Sequence, residues 1–162
     1  MARLTRRQFA RLATLGAGGV VTVAIGFPIA GFLFSPLYEG TTPLVWRRVG
    51  NLDNLPVRQP TRYVVHFPDG FWSTKEVPYG VYAVRLSDAA GDLKVFSNIC
   101  THMQCAVRWQ GNLNQFECPC HGGLYTVDGQ NVGGPPPKPL PQYVHRTERG
   151  VVYVANRLQE QI

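Results

Sequence analysis

The hydrophobic pattern divides the chain into two unequal stretches. Over 12–38 no side chain is charged, and valine, leucine, phenylalanine and glycine follow one another without a polar stripe. At a rise of ~1.5 Å per residue, about 20 helical residues cross a hydrocarbon layer, so the run predicts one membrane-spanning helix over 12–37. A soluble helix buried in a core is the other reading of the same run. Gly16, Gly18, Gly19, Gly26, Gly31 and Pro28 weaken a helix in water but are tolerated in a bilayer, where small residues permit close packing. After a polar connector, 38–46, the pattern changes to short runs of β period at 62–67, 80–86, 93–97, 115–118 and 151–155. Turn formers separate the runs at Pro68-Asp69-Gly70, Gln110-Gly111-Asn112 and Asp128-Gly129. No heptad, repeat or helical period follows, so 47–162 predicts a small all-β antiparallel domain behind a single helix.

Charge changes how the first stretch is read. The formal net charge is +6, yet Arg3, Arg6, Arg7 and Arg11 all precede the first acidic residue, Glu39. Beyond residue 38 there are 12 basic and 10 acidic residues, a net +2, with no basic stripe interleaved with aromatics, which argues against nucleic-acid binding. The Arg6-Arg7 pair followed by Phe9 and a long uncharged run resembles a twin-arginine export signal, and 1–11 is expected to be a cytoplasmic signal region. The uncharged run is longer than the ~7–15 residues of a cleaved signal and lacks a convincing Ala-x-Ala, so it is expected to stay as a single-pass anchor. The arginine bias keeps the N-terminus cytoplasmic and places the β domain outside, where disulfides persist.

All four cysteines and two of the four histidines lie between residues 100 and 121. One group reads Cys100-Thr101-His102-Met103-Gln104-Cys105, and the other Cys118-Pro119-Cys120-His121-Gly122-Gly123, with fifteen residues between His102 and Cys118. Each group offers a thiolate and an imidazole. Two thiolates on one iron and two imidazoles on the other make a [2Fe–2S] centre of raised potential, whereas zinc in tetrahedral S₂N₂ ligation would use the same four residues. Zinc leaves Cys105 and Cys120 unexplained. A bridge between those two would lock the ligand loops together. His66 and His145 lack cysteine neighbours at ligand spacing and read as ordinary sheet or surface residues, while Trp46, Trp72 and Trp109 read as core or interface.

The two groups resemble the cluster-binding boxes of the Rieske iron–sulfur subunits of cytochrome bc and b6f complexes, Cys-Thr-His-Leu-Gly-Cys and Cys-Pro-Cys-His-Gly-Ser. The resemblance extends to Gly133-Gly134-Pro135-Pro136-Pro137-Lys138-Pro139-Leu140, which matches the proline loop that packs over the cluster in that family. It implies a Rieske-type β domain over 47–162, a [2Fe–2S] cluster on Cys100, His102, Cys118 and His121, and a Cys105–Cys120 disulfide. It further implies that Gly134, Pro135 and Pro136 lie over the cluster and that the Tyr125 hydroxyl bonds the first cysteine's sulfur.

Gly123 departs from the family's serine, whose hydroxyl is expected to hydrogen-bond a bridging sulfide. Losing such a bond favours a lower potential and hence a donor such as menaquinol. Met103-Gln104 departs from Leu-Gly, and a glutamine there puts the local backbone in doubt because glycine often marks positive φ. The function implied is that of the iron–sulfur subunit of a quinol–cytochrome c oxidoreductase, inactive alone. In that role it oxidises quinol through His102 or His121 and releases the proton outside. A cytochrome b subunit, a c-type cytochrome, membrane lipid and a dimeric host complex are the partners implied, with 38–46 as the hinge of a swinging domain. An electron-relay subunit of a periplasmic molybdoenzyme such as arsenite oxidase is the alternative.

Overall fold

The computed structural model describes residues 5–35, 37, 44–69, 75–89 and 91–159. Arg3, the connector residues 38–43, Gly70 of the first predicted turn and Trp72 lie outside the described residues. The chain forms two units, Met1–Pro43 and Leu44–Ile162.

The first unit holds helix α1, Arg6–Phe34, 29 residues long, so it begins six residues ahead of the stretch chosen on charge alone. Its start is set by a capping box: the Gln8 amide donates to Thr5 Oγ1 (3.3 Å), and the Thr5 amide donates to Gln8 Oε1 (3.0 Å). Two otherwise unpaired amides are thereby satisfied, and the helix can open with the arginines inside its first turns. None of its residues is buried, and the helix is long and apolar enough to cross a membrane. The Thr22 hydroxyl within it is turned back on the backbone, donating to Gly18 O (2.8 Å), which leaves no donor facing hydrocarbon at that position.

Among the described residues the second unit is built of ten antiparallel strands in three sheets. Strands β1 (Trp46–Asn51), β10 (Val151–Leu158) and β9 (Tyr143–Glu148) form one sheet in that order. Strands β2 (Thr61–Pro68), β3 (Glu76–Arg85) and β4 (Leu93–Ser97) form a second. Strands β5 (Arg108–Gln110), β6 (Gln115–Cys118), β7 (Gly123–Thr126) and β8 (Asn131–Gly133) form the third. The β-rich reading holds: four of the five predicted runs lie inside observed strands, and the fifth, 80–86, overruns β3 by one residue, Leu86.

Strand β3 explains why the sheets stack. Successive side chains of a strand point to opposite faces. Val81 and Ala83 join a core with Val49, Val65, Val95, Val152 and Val154, while Tyr82 and Val84 join a second core with Phe96, Phe116, Tyr125 and Leu140. The β2–β3–β4 sheet is therefore the middle layer, wetted on neither face at its centre. In the second core Phe116 takes the rings of Trp109 (centroids 4.9 Å apart), Tyr82 (5.0 Å) and Phe96 (6.2 Å) in edge-to-face arrangements. Trp109 is thus a core contact, as expected, and Trp46 lies under the Arg146 guanidinium at 4.2 Å.

Candidate metal centre

Three loops converge beyond the second core. The first, between β4 and β5, carries Cys100 to Cys105 and is closed by Cys100 N–H to Cys105 O (2.9 Å) and Gln104 N–H to Cys100 O (3.1 Å). Gln104 adopts φ 59°, so the glutamine occupies the left-handed conformation that its family counterpart, glycine, enters freely. The second loop, between β6 and β7, begins at Cys118, whose carbonyl accepts from the Gly122 amide (3.1 Å), and Gly122 turns the chain at φ +68°. Cys118 and Gly123 then face each other as the last residue pair of the β6–β7 ladder.

The third loop follows β8 and carries the prolines. Gly134 sits at φ +78°, and a Cβ there would stand 2.5 Å from Gly122 O and 2.8 Å from Gly123 Cα, so only a bare backbone can lie so close to the second loop. Its other side is tied to the first loop, because Thr101 Oγ1 donates to Lys138 O at 2.7 Å. Pro136 is buried and Pro135 exposed.

Within this frame the Cys100 and Cys118 side chains are buried and hydrogen-bonded to each other, and they are the free cysteines among the described residues. The His102 and His121 rings meet edge to face, centroids 5.0 Å apart at 82°, and both residues are exposed. Cys105 and Cys120 form a disulfide with Cα atoms 6.5 Å apart, joining the first two loops. The Sγ atoms of Cys105, Cys118 and Cys120 lie within 4.8 Å of one another, but two of the three are spent in that bridge and offer an ion nothing.

Tyr125, fully buried on β7, reaches into this group. Its hydroxyl lies 3.3 Å from Cys100 Sγ, 3.2 Å from the Thr101 amide and 3.2 Å from Thr101 Oγ1. Proton counting sets the directions. The amide can only donate, and the Thr101 hydroxyl spends its proton on Lys138 O, so Thr101 Oγ1 accepts from the tyrosine; Cys100 Sγ, as a thiolate, is the second acceptor sharing that proton. Burial opposes the Cys100 thiolate, but hydrogen bonds from Tyr125 and from the His102 and Met103 backbone outweigh it and hold the thiol below its ordinary range. Burial, with the Cys100 sulfur alongside, pushes the Cys118 thiol up, and burial first and Cys100 second push Tyr125 up to about 12.

Residues 46–144 match the Rieske [2Fe–2S] domain family. The chain belongs to that family. Its Rieske relatives include the menaquinol:cytochrome c reductase iron–sulfur subunit of Geobacillus thermodenitrificans, 34% identical over 94% of this chain and 91% of that one. The cytochrome b6-f complex iron–sulfur subunit of Chlorobaculum thiosulfatiphilum is 31% identical over 93% of this chain and 75% of that one. Among solved structures, a complex of reduced oxygenase and oxidized ferredoxin in carbazole 1,9a-dioxygenase aligns with a TM-score of 0.50 at 22% identity, over 72% of this chain and 98% of that one, which shows the Rieske fold alone.

The resident group of a Rieske domain is a [2Fe–2S] cluster, and the donor set here fits one: two buried thiols on one side, two exposed imidazoles on the other, and a hydroxyl on the buried sulfur. Of the residues singled out in the sequence, Cys100, His102, Cys118, His121, Tyr125, Gly134 and Pro136 come together, with Gly123 among them. His66 and His145 stay outside; His145 Nδ1 pairs with Tyr143 O (3.2 Å), an ordinary sheet contact. Thr101 was not singled out. It lies between two ligand candidates, and its tie to Lys138, 37 residues away, has no signal in the local sequence.

Proposed function

We propose that this protein is the iron–sulfur subunit of a menaquinol-oxidising cytochrome bc-type complex, anchored by α1 with its Rieske domain outside the cytoplasmic membrane. In this reading 1–11 is the cytoplasmic twin-arginine region, 12–37 the anchor, 38–46 the connector and 47–162 the functional domain. Cys100 and Cys118 hold one iron and His102 and His121 the other. The cluster they hold supplies one-electron oxidation of the quinol. The quinol hydroxyl hydrogen-bonds an exposed imidazole, His102 or His121, which takes its proton and later releases it outside. Met103, 66% exposed beside His102, offers an apolar contact to the same ligand. Tyr125 and the Cys105–Cys120 bridge keep the loops from moving against each other.

The observation that carries the reading is the pairing of two exposed imidazoles in front of two buried thiols, in a chain similar along nearly its whole length to menaquinol:cytochrome c reductase subunits. A cytochrome b subunit and a haem c acceptor complete the electron path. Purification of the complex from its membrane tests this. The expected preparation contains b- and c-type haems, about two irons and two acid-labile sulfides per copy of this chain, and menaquinol-dependent cytochrome c reduction blocked by His121→Ala. Co-purification with a molybdopterin subunit in place of b haem would overturn it.

A further inference from the structure

Strand β3 carries a glycine where the first ligand loop takes off. Val81 pairs with Ser97, so the next position of the antiparallel ladder sets Gly80 opposite Asn98, the first residue beyond β4. The Asn98 amide donates to Gly80 O (3.1 Å), and Asn98 O accepts the Val107 amide (2.7 Å). Ile99 then bridges to Ala106, and the Cys100 amide reaches Cys105 O (2.9 Å). Asn98 and Val107 therefore form the foot of the loop that presents Cys100 and His102.

The Asn98 carboxamide lies across the place that a side chain at position 80 would occupy. A Cβ built on Gly80 would stand 2.5 Å from Asn98 Nδ2, 2.6 Å from Cγ and 2.8 Å from Oδ1. Real Cβ atoms essentially never come within 3.0 Å of a neighbour, so the whole carboxamide would have to leave. It has little freedom to do so: the side chain is short, the residue is buried, and its backbone is pinned from both sides. A glycine inside a strand marks such a close approach. The loop settles against β3 only while position 80 is bare.

The settling matters for Cys100. The His102 and Met103 backbone groups that bond its sulfur belong to the same loop and travel with it. The Tyr125 hydroxyl, 3.3 Å from that sulfur, comes from β7 in another sheet. Of these bonds, the tyrosine's alone depends on where the loop sits, and a hydrogen bond weakens as it lengthens or bends.

We infer that Gly80 and Asn98 are positioning residues, a seat on β3 that holds the first ligand loop where Tyr125 can bond Cys100. The inference rests on the reading of Cys100 as a ligand. A donor to a ligand sulfur favours the reduced, more negative state, so unseating the loop makes reduction harder.

The full-length chain in detergent is assayed for iron and acid-labile sulfide and then titrated by visible absorption. Unmodified protein without iron would sink the ligand reading and this inference with it; iron without the shifts below sinks the inference alone. Gly80→Ala is expected to make reduction at least threefold less favourable, about 28 mV at ~59 mV per tenfold. In a Tyr125→Phe background the same substitution should shift the potential by less than half as much, as coupling through one bond requires. Asn98→Ala removes the three overlapping atoms and keeps the backbone bonds, so Gly80→Ala added to it should leave the potential at that of Asn98→Ala alone. Should Gly80→Ala by itself hold no cluster, the iron content of that double variant decides: recovery supports the seat, and continued loss overturns it. Full iron with an unchanged potential in Gly80→Ala would also overturn it, as would an equal shift with and without the tyrosine hydroxyl. A glycine that served the strand alone would, on replacement, lower the melting temperature and leave the potential where it was.

Discussion

Replacing Tyr125 by phenylalanine removes one oxygen from a site where it serves three partners. The hydroxyl proton is shared by Cys100 Sγ at 3.3 Å and Thr101 Oγ1 at 3.2 Å, and the oxygen accepts the Thr101 amide at 3.2 Å. A hydrogen bond to a charged acceptor is worth about 1.5–3 kcal/mol net. If all of it appeared only on reduction, the potential would fall by about 65–130 mV at ~59 mV per tenfold, so that range is a ceiling. Sharing the proton with Thr101 puts the expected fall at or below the bottom of that range, about 65 mV or less. The Thr101 amide, left without its acceptor, should cost about 1–3 kcal/mol of stability before the cluster is considered. Redox titration of Tyr125→Phe against the unmodified chain at equal iron content measures the first effect, and thermal melting the second. A potential equal to or above that of the unmodified protein would refute the direction assigned to the tyrosine proton.

Three further perturbations probe the frame. Joint replacement of Cys105 and Cys120 by serine opens a link of sequence separation 15 and should cost about 3 kcal/mol, read as a lower melting temperature that added reductant no longer changes. Gln104→Gly relieves the φ 59° conformation and should stabilise by about 0.5–1 kcal/mol, a rise of a few degrees in Tm; a fall would show that the glutamine side chain compensates its backbone. The Asp128 carboxyl is held below the usual carboxylate range by the Thr126 hydroxyl first, with Lys94 and Arg58 nearby and partial burial opposing. Its stabilising effect is therefore present above the ordinary carboxylate pKa and is lost as pH falls through the lower folded value. Asp128→Asn should lower stability at neutral pH and flatten its loss in acid, so that the two proteins converge below about pH 4, as followed by thermal melts across pH.

What the sequence disclosed follows from how local the signal is. The uncharged run became α1 because twenty-seven residues without charge leave little other choice, and β2, β3, β4, β6 and β10 showed their two-residue period. Strands β1 and β9 were missed because they edge their sheet, where Arg47, Arg48, Arg146 and Glu148 replace an apolar face. Strands β5, β7 and β8, three or four residues each, exist through ladder partners such as Phe116 opposite Tyr125, which the local sequence does not display. The ligand candidates were legible because thiols and imidazoles at this spacing are chemically unusual. The tie from Thr101 to Lys138 was not, since it joins residues whose types say nothing about each other.

Strand β3 belongs to two interiors at once, with Val81 and Tyr82 adjacent in sequence yet packed in opposite ones. A bulkier residue on either side of that strand can find room only by pushing the backbone toward the other. The far interior and the ligand loops are thereby yoked: drift at Val65 or Val154, well away from any thiol, must be tolerated by Tyr82 and Phe116 before the ligand end can stay still.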